Sequence, residues 1–234
     1  MFIIALAGVR VRVENQYPYV ERQCKAFLCE GNDYDFSVCA TADEISEESN
    51  HAEFSDAYCE SICIYRNICE KIAAYNVFLM HSSVLEVDGY AYAFAAKSGV
   101  GKSTHTRLWL KNVPHARVLN GDKPLFRLEK DGGITVFGTP WNGKENWGEN
   151  ISASLAAVCF IERGVKNAIR QIGEDEIISR MMHQLYLRGE RASVNQRLML
   201  MDALVKAVPY YVLACTISDE AALLAYQTMR PKRT

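Results

Sequence analysis

The chain has 234 residues, 49% hydrophobic and 23% charged, the composition of an ordinary globular protein long enough to bury a core. A formal net charge of -2 argues against a nucleic-acid binder working through a broad basic surface. No stretch approaches the roughly 18 consecutive apolar residues of a membrane span. The apolar start Met1 to Val9 has no basic region before it, so it is expected to be a strand rather than a targeting signal.

Phe2 to Val13 and Tyr34 to Ala40 are rich in β-branched, aromatic and small apolar residues, which predicts strands, with a turn at Gly31-Asn32-Asp33. A small β-rich N-terminal part, about residues 1–50, is therefore expected ahead of a larger unit over 51–234. Thr41 to Glu60 carries seven acidic residues and no Lys or Arg, which reads as a solvated loop leading into a helix. Ser55 is the expected N-cap. Tyr58, Ile62, Tyr65, Cys69 and Ile72 then repeat at the spacing of an amphipathic helix. Strand signals resume at Phe78. Val84 to Val87 and Tyr90 to Ala95, joined by Asp88-Gly89, predict a β-hairpin. A helix is expected over Thr104 to Lys111. Strands follow at Arg117 to Leu119, Leu125 to Leu128 and Ile134 to Phe137, and then a structured loop over Gly138 to Asn150. Leu155 to Ile161 has the continuous apolar run of a buried strand. Helices are expected at Glu174 to Leu187, Ser193 to Ala207 and Asp219 to Met229, with a strand at Tyr210 to Cys215 between the last two. The eight cysteines include no C-x-x-C pair, and no histidine completes a metal spacing with Cys59, Cys63 and Cys69. Cys159 and Cys215, in apolar strand-like runs, are expected to be small hydrophobes, and the protein is expected to be reduced and cytoplasmic.

The sharpest motif lies between the hairpin and the next helix. Ala96-Lys97-Ser98-Gly99-Val100-Gly101-Lys102-Ser103 matches the phosphate-binding pattern G-x-x-x-x-G-K-[ST] at every fixed position but the first, where Ala96 replaces glycine. Glycines let consecutive backbone N–H groups face phosphate oxygens, and the following helix N-terminus adds partial positive charge. The expected nucleotide cradle is thus Ser98, Gly99, Val100, Gly101, Lys102, Ser103 and Thr104. It would take ATP or GTP, with Lys102 on the β- and γ-phosphates and the Ser103 hydroxyl on Mg²⁺. Such a site also needs an acid near the metal, and Asp122, at the mouth of the strand ending in Leu119-Asn120, is the best placed.

The segment His81 to Ser103 resembles the catalytic domain of HPr kinase/phosphorylase: a histidine, a hairpin with a turn glycine (Gly89 here), and an S-G-x-G-K-S loop. Asn120-Gly121-Asp122 resembles the acidic motif that follows the loop in that family and in ATP-dependent phosphoenolpyruvate carboxykinase. Two consecutive acids stand there in both families, whereas Lys123 follows Asp122 here. Thr104 lies closer to the carboxykinase pattern, and no counterpart of the HPr kinase signature follows the acidic motif. The resemblance covers residues 75–130. It implies an α/β protein whose mixed sheet holds the nucleotide, with Asp122 holding Mg²⁺ with Ser103 and taking the acceptor proton. It also implies His81 beside the γ-phosphate, where the residues alone suggest a hydrogen-bonded histidine at a strand start. The whole chain looks most like HPr kinase relatives that accompany peptide-modification systems.

The expected activity is transfer of the γ-phosphoryl group of ATP to a hydroxyl, that of a peptide or protein serine, with catalysis by Asp122, Lys102 and His81. A nucleotide-binding module without turnover and a kinase of a small metabolite such as free serine are the alternatives. No nucleic-acid or membrane partner is expected. The loop carrying Lys144 would cover the phosphates or hold the acceptor, unless it is a loop anchored by buried tryptophans. Arg163, at the carboxyl end of an apolar strand, is a candidate anion contact, with a surface salt bridge as its alternative. His51 and His115 read as surface loop residues, and His105 and His183 as helical residues without a role.

Overall fold

A hairpin opens the chain. In β1 (Phe2–Leu6) and β2 (Val9–Glu14) buried residues alternate with half-buried ones, so one face packs inward. The computed structural model describes residues 1–51, 54–97, 99–186 and 189–231. Between β2 and the parallel strand β3 (Phe36–Cys39) the chain forms helix α1 (Pro18–Gln23) and a 3-10 turn at Lys25–Phe27, where the sequence reading named no helix. Pro18 in the first turn favours that start. The fully buried carboxylate of Glu60 accepts the N–H groups of Gln16 and Tyr17, at the mouth of the helix.

The acidic segment is also not a loop, because α2 (Ala42–His51) runs through it. Its signal is a capping box, Thr41-x-x-Glu44. The Glu44 carboxylate accepts the Thr41 N–H at 2.7 Å, and the Thr41 hydroxyl accepts the Glu44 N–H at 3.2 Å. Helix α3 (Asp56–Lys71) follows, with Ser55 extended at the N-cap but making no side-chain cap bond. The predicted stripe is divided. Tyr65, Cys69 and Ile72 are buried with Cys59, Cys63, Ile64 and Ile68 against the small sheet, while Tyr58 and Ile62 stay half-exposed. All eight cysteines are free thiols, and burial pushes Cys69 up to about 12.

The second sheet is mixed and has nine strands among the described residues. β4 (Val77–Leu79), β5 (Ser83–Val87) and β6 (Tyr90–Ala95) lead to α4 (Lys102–Asn112). Then come β7 (Arg117–Asn120), β8 (Leu125–Leu128), β9 (Ile134–Phe137) and the long β10 (Ser152–Arg163). β11 (Ala168–Gln171), α5 (Glu174–Met181), α6 (Arg191–Ala207), β12 (Tyr210–Cys215) and α7 (Asp219–Met229) complete the chain. The order is β4-β8-β9-β10-β6-β5-β7, with β12 continuing β9's edge of β10 and β11 pairing β12. The central strands are covered on both faces. In β6, Ala91, Ala93 and Ala95 face the layer holding Leu200, Met201 and Leu204 of α6. Tyr92 and Phe94 face Trp109 of α4 and Ala222 and Ala225 of α7. That two-sided burial makes β6 and β10 read as unbroken apolar runs. No helix among the described residues is long and apolar enough to cross a membrane.

Strand direction decides what meets at one end of this sheet. β5 is antiparallel to β6, and β7 is antiparallel to β5, so β7 runs parallel to β6. The loop leaving β6, the Gly121-Asp122 turn leaving β7 and His81 just before β5 therefore emerge at the same edge. The carboxyl ends of β10 and β12, both parallel to β6 in sense, lie there too.

Candidate nucleotide and phosphoryl-transfer site

The loop after β6 bends through two glycines in the left-handed region, Gly99 (φ 76) and Gly101 (φ 129), where a side chain would be strained. Ala96 has no positive φ, so the position that carries glycine in the pattern does not need it here. Helix α4 begins at Lys102, and its first intrahelical bond runs from the His105 N–H to the Gly101 carbonyl at 2.9 Å. Its N-terminus faces the cleft without an acidic residue in the first turn. The Lys102 ammonium donates to the Ala96 carbonyl at 3.2 Å. Burial lowers its pKa, opposed by the charge of Asp122 across the cleft.

Asp122 is fixed by the turn that presents it. The fully buried Asn120 accepts the N–H groups of Asp122 and Lys123 through Oδ1, at 2.9 and 2.8 Å. Its Nδ2 is spent on the Thr139 carbonyl and hydroxyl. Gly121 is required by close approach, since a Cβ there would stand 2.8 Å from the Asn142 carbonyl oxygen. One Asp122 oxygen meets His81 Nε2 at 2.7 Å and the other accepts from Lys123 Nζ at 3.0 Å. Burial works against the charge of this carboxylate. The His81 hydrogen bond and the charges of Lys123 and His81 outweigh it and hold the carboxyl well below its ordinary value.

The loop over Gly138 to Asn150 is anchored by a buried tryptophan, the second of the two readings given for it. Trp141 is 5% exposed, stacks on Tyr65 at 4.2 Å, and donates through Nε1 to the carbonyl and hydroxyl of Ser61. Trp147 takes Arg107 over its ring at 5.2 Å. From that anchor, Asn142 to Asn146, including Lys144, line the cleft.

His81, Gly99, Gly101, Lys102, Ser103, Thr104, Asp122 and Lys144 thus share one open cleft of ≈ 1190 Å³. Val100 and Arg163 line a neighbouring cavity of ≈ 340 Å³ behind the loop, with Gly99, Gly101 and Thr104 common to both. There Arg163 donates to the Gly99 carbonyl at 2.8 Å, tying the end of β10 to the loop. Ser98 lies outside the described residues. The sequence reading did not name Lys97, Arg22, Tyr19 or Tyr58 as site residues, although they also line the main cleft. Lys97 sits inside the motif and was legible as a cation beside phosphates. Tyr19 and Arg22 were not, because no helix was expected where α1 lies.

Five cationic side chains, Arg22, Lys97, Lys102, Lys123 and Lys144, line this cleft against two carboxylates, Asp122 and Glu145. On a chain of net charge -2, such a concentration selects for an anion. Asp122 and the Ser103 hydroxyl are hard oxygen donors of the kind that suits Mg²⁺. Each Asp122 oxygen already holds one partner, so a cation there would share the carboxylate with Lys123 and His81 or displace one of them. Among the described residues no cluster of three or more His, Cys, Asp or Glu could hold a metal by protein ligands alone.

No protein family and no curated protein matches this sequence. Among solved structures, the chain is similar to the HPr(Ser) kinase/phosphatase from Coxiella burnetii, with 10% identity and a TM-score of 0.38, over 64% of this chain and 86% of that one.

Proposed function

We propose that the chain is an ATP-dependent kinase that transfers the γ-phosphoryl group to a hydroxyl, that of a peptide or protein serine. The observation that carries this reading is the placing of the glycine loop and Lys102 opposite the Asp122–His81 pair in one cation-rich cleft. The loop amides and Lys102 bind and neutralise the phosphates, and the cavity behind the loop takes the nucleoside. When bound, Mg²⁺ would be held by Ser103 and Asp122 and would neutralise phosphate charge. The acceptor oxygen bonds to the γ-phosphorus, the bond from that phosphorus to the β–γ bridging oxygen breaks, and ADP leaves. The displaced proton goes to Asp122 or to its partner His81. A carboxylate with so low a pKa is a weak base, so Asp122 serves mainly to orient the hydroxyl, and positioning supplies most of the rate.

The test is label transfer from γ-labelled ATP to serine-containing peptides, proteins and free serine. Asp122→Asn is expected to lower transfer by ~10²-fold or more, the scale of a misplaced reacting group, and His81→Ala by less. Equal rates in all three proteins would remove both residues from the chemistry. A second reading, a nucleotide-binding module without turnover, is favoured by the Lys123–Asp122 ion pair at 3.0 Å, which occupies the carboxylate a kinase would use. Tight ATP binding with no labelled acceptor would select it.

A further inference from the structure

The cleft has two chemically different walls. One is the phosphate loop with Lys97, Lys102 and Ser103. The other comes from α1 and the start of α3, and it is aromatic: Tyr19 lies edge-on to Tyr58 at 5.9 Å, and Phe54 lies 4.8 Å from Tyr58. These rings are not core. Tyr19 and Tyr58 are half-exposed and Phe54 is 52% exposed, although the same helix buries Tyr65 completely enough to stack on Trp141. Arg22 stands one helical turn beyond Tyr19 on α1 and makes no ion pair among the described residues. The cleft volume of ≈ 1190 Å³ exceeds the roughly 300–1,000 Å³ of a pocket for one small ligand.

We propose that this wall is the acceptor-recognition surface of the cleft and that the acceptor is a peptide segment carrying an aromatic side chain and a carboxylate next to its serine. The proposal rests on the kinase reading and names its substrate class. An aromatic side chain packs against the Tyr19, Phe54 and Tyr58 rings, as offset or edge-on ring pairs favour. A carboxylate accepts from the Arg22 guanidinium, which supplies the charge complementarity. The serine hydroxyl then faces Asp122 from the side opposite the loop. Free serine has no aromatic side chain to cover the rings.

The test uses the full chain, a non-hydrolysable ATP analogue with Mg²⁺, and three dye-labelled peptides. These are Gly-Asp-Phe-Ser-Gly-Gly and its versions with alanine in place of the phenylalanine or of the aspartate. Replacing the phenylalanine is expected to weaken peptide binding by ~5–10-fold, the scale of one ring pair, and replacing the aspartate by ~2–5-fold, the scale of one exposed charge pair. Tyr58→Ala should erase the phenylalanine preference, and Arg22→Ala, a surface change, should erase the aspartate preference. Both cycles read the pair directly. Equal affinity of the three peptides for the wild type overturns the proposal. So does a Tyr58→Ala protein that loses the ATP analogue as steeply as the peptide, which would make the wall a base-stacking site. Label transfer to free serine in preference to the aspartate- and phenylalanine-bearing peptide overturns it as well. Because binding needs no turnover, the predicted peptide preference without label transfer would uphold the wall and overturn the kinase reading alone.

Discussion

At the scale of single residues, two groups show how environment divides function from structure. Asp122 and His105 both have lowered pKa values, for different reasons. Partners hold Asp122 ionised in the cleft, whereas burial alone holds His105 neutral, down to about 4 from 6.5. His105 is 3% exposed beneath the start of α4, and its Nε2 accepts the Trp109 indole N–H at 3.0 Å. A charged imidazolium there would lose that acceptor and sit unsolvated against Phe94. Unfolded, the same group protonates near 6.5. Its contribution is therefore fully present above that pH and is lost as pH falls through 6.5 toward 4, on the order of 3 kcal/mol in all at 1.36 kcal/mol per unit. His105→Gln keeps an acceptor for Trp109 and does not titrate. Its unfolding free energy, measured by denaturant titration from pH 7 to 4.5, should fall less steeply with acid than that of the wild type. Parallel curves would show that His105 protonates freely in the folded state. The sequence placed His105 on a helix and assigned it no role. Its i, i+4 spacing to Trp109 was legible, but its burial depended on which face of α4 met the sheet.

Among the elements, those built from local pattern were read well and those built from caps were not. The hairpin of β5 and β6 follows from Asp88-Gly89, both with positive φ, and two apolar runs. α2 was misread because seven acids outweighed its Thr41–Glu44 capping box, and α1 because a six-residue helix has almost no period to detect. β11 is an edge strand of four mostly exposed residues and carries no apolar run to find. The loop over Gly138 to Asn150 shows what composition can and cannot say. Two tryptophans marked it as structured, but only the fold shows that Trp141 holds it to α3 while Asn142 to Asn146 face the cleft. The Thr139 hydroxyl links the same loop to the Asp122 turn, donating to the Lys123 carbonyl at 2.8 Å. Trp141→Ala removes a buried indole, its stack on Tyr65 and the donor to Ser61. It should cost roughly 3–5 kcal/mol of stability, the range for deleting a buried large aromatic. Trp141→Phe, which keeps a ring against Tyr65, should cost clearly less. Denaturant unfolding of the three proteins checks both. A loss under about 1 kcal/mol for the alanine variant, in the range of surface substitutions, would mean that the loop is held elsewhere.

For the whole molecule, the working edge is set by topology more than by any single motif. Two antiparallel steps, β6 to β5 and β5 to β7, return the chain to the edge where the loop lies, and this brings residues 81, 102 and 122 into one cleft. The glycine loop was legible because its chemistry needs adjacent residues. The aromatic wall was not, because it joins α1 to α3 across more than thirty intervening positions. If this edge is a nucleotide site, ligand binding should stabilise the whole fold, since the loop, α4 and the ends of β10 and β12 all border it. At a free nucleotide concentration 100 times Kd, the gain is about 2.7 kcal/mol. For a chain of this size that corresponds to a rise in Tm of roughly 5–10 °C. Lys102→Ala removes the half-buried cation proposed to neutralise the phosphates and should abolish most of the rise, while leaving the loop glycines and the sheet in place. The measurement is thermal unfolding of both proteins with ATP or GTP and Mg²⁺, each titrated to millimolar concentration. An unchanged Tm for the wild type, supported by calorimetry showing no nucleotide binding, would sink the reading of this edge as a nucleotide site. A rise that survives Lys102→Ala in full would leave the nucleotide bound but move it away from the loop, since no other cation there combines burial with a place at the first turn of α4.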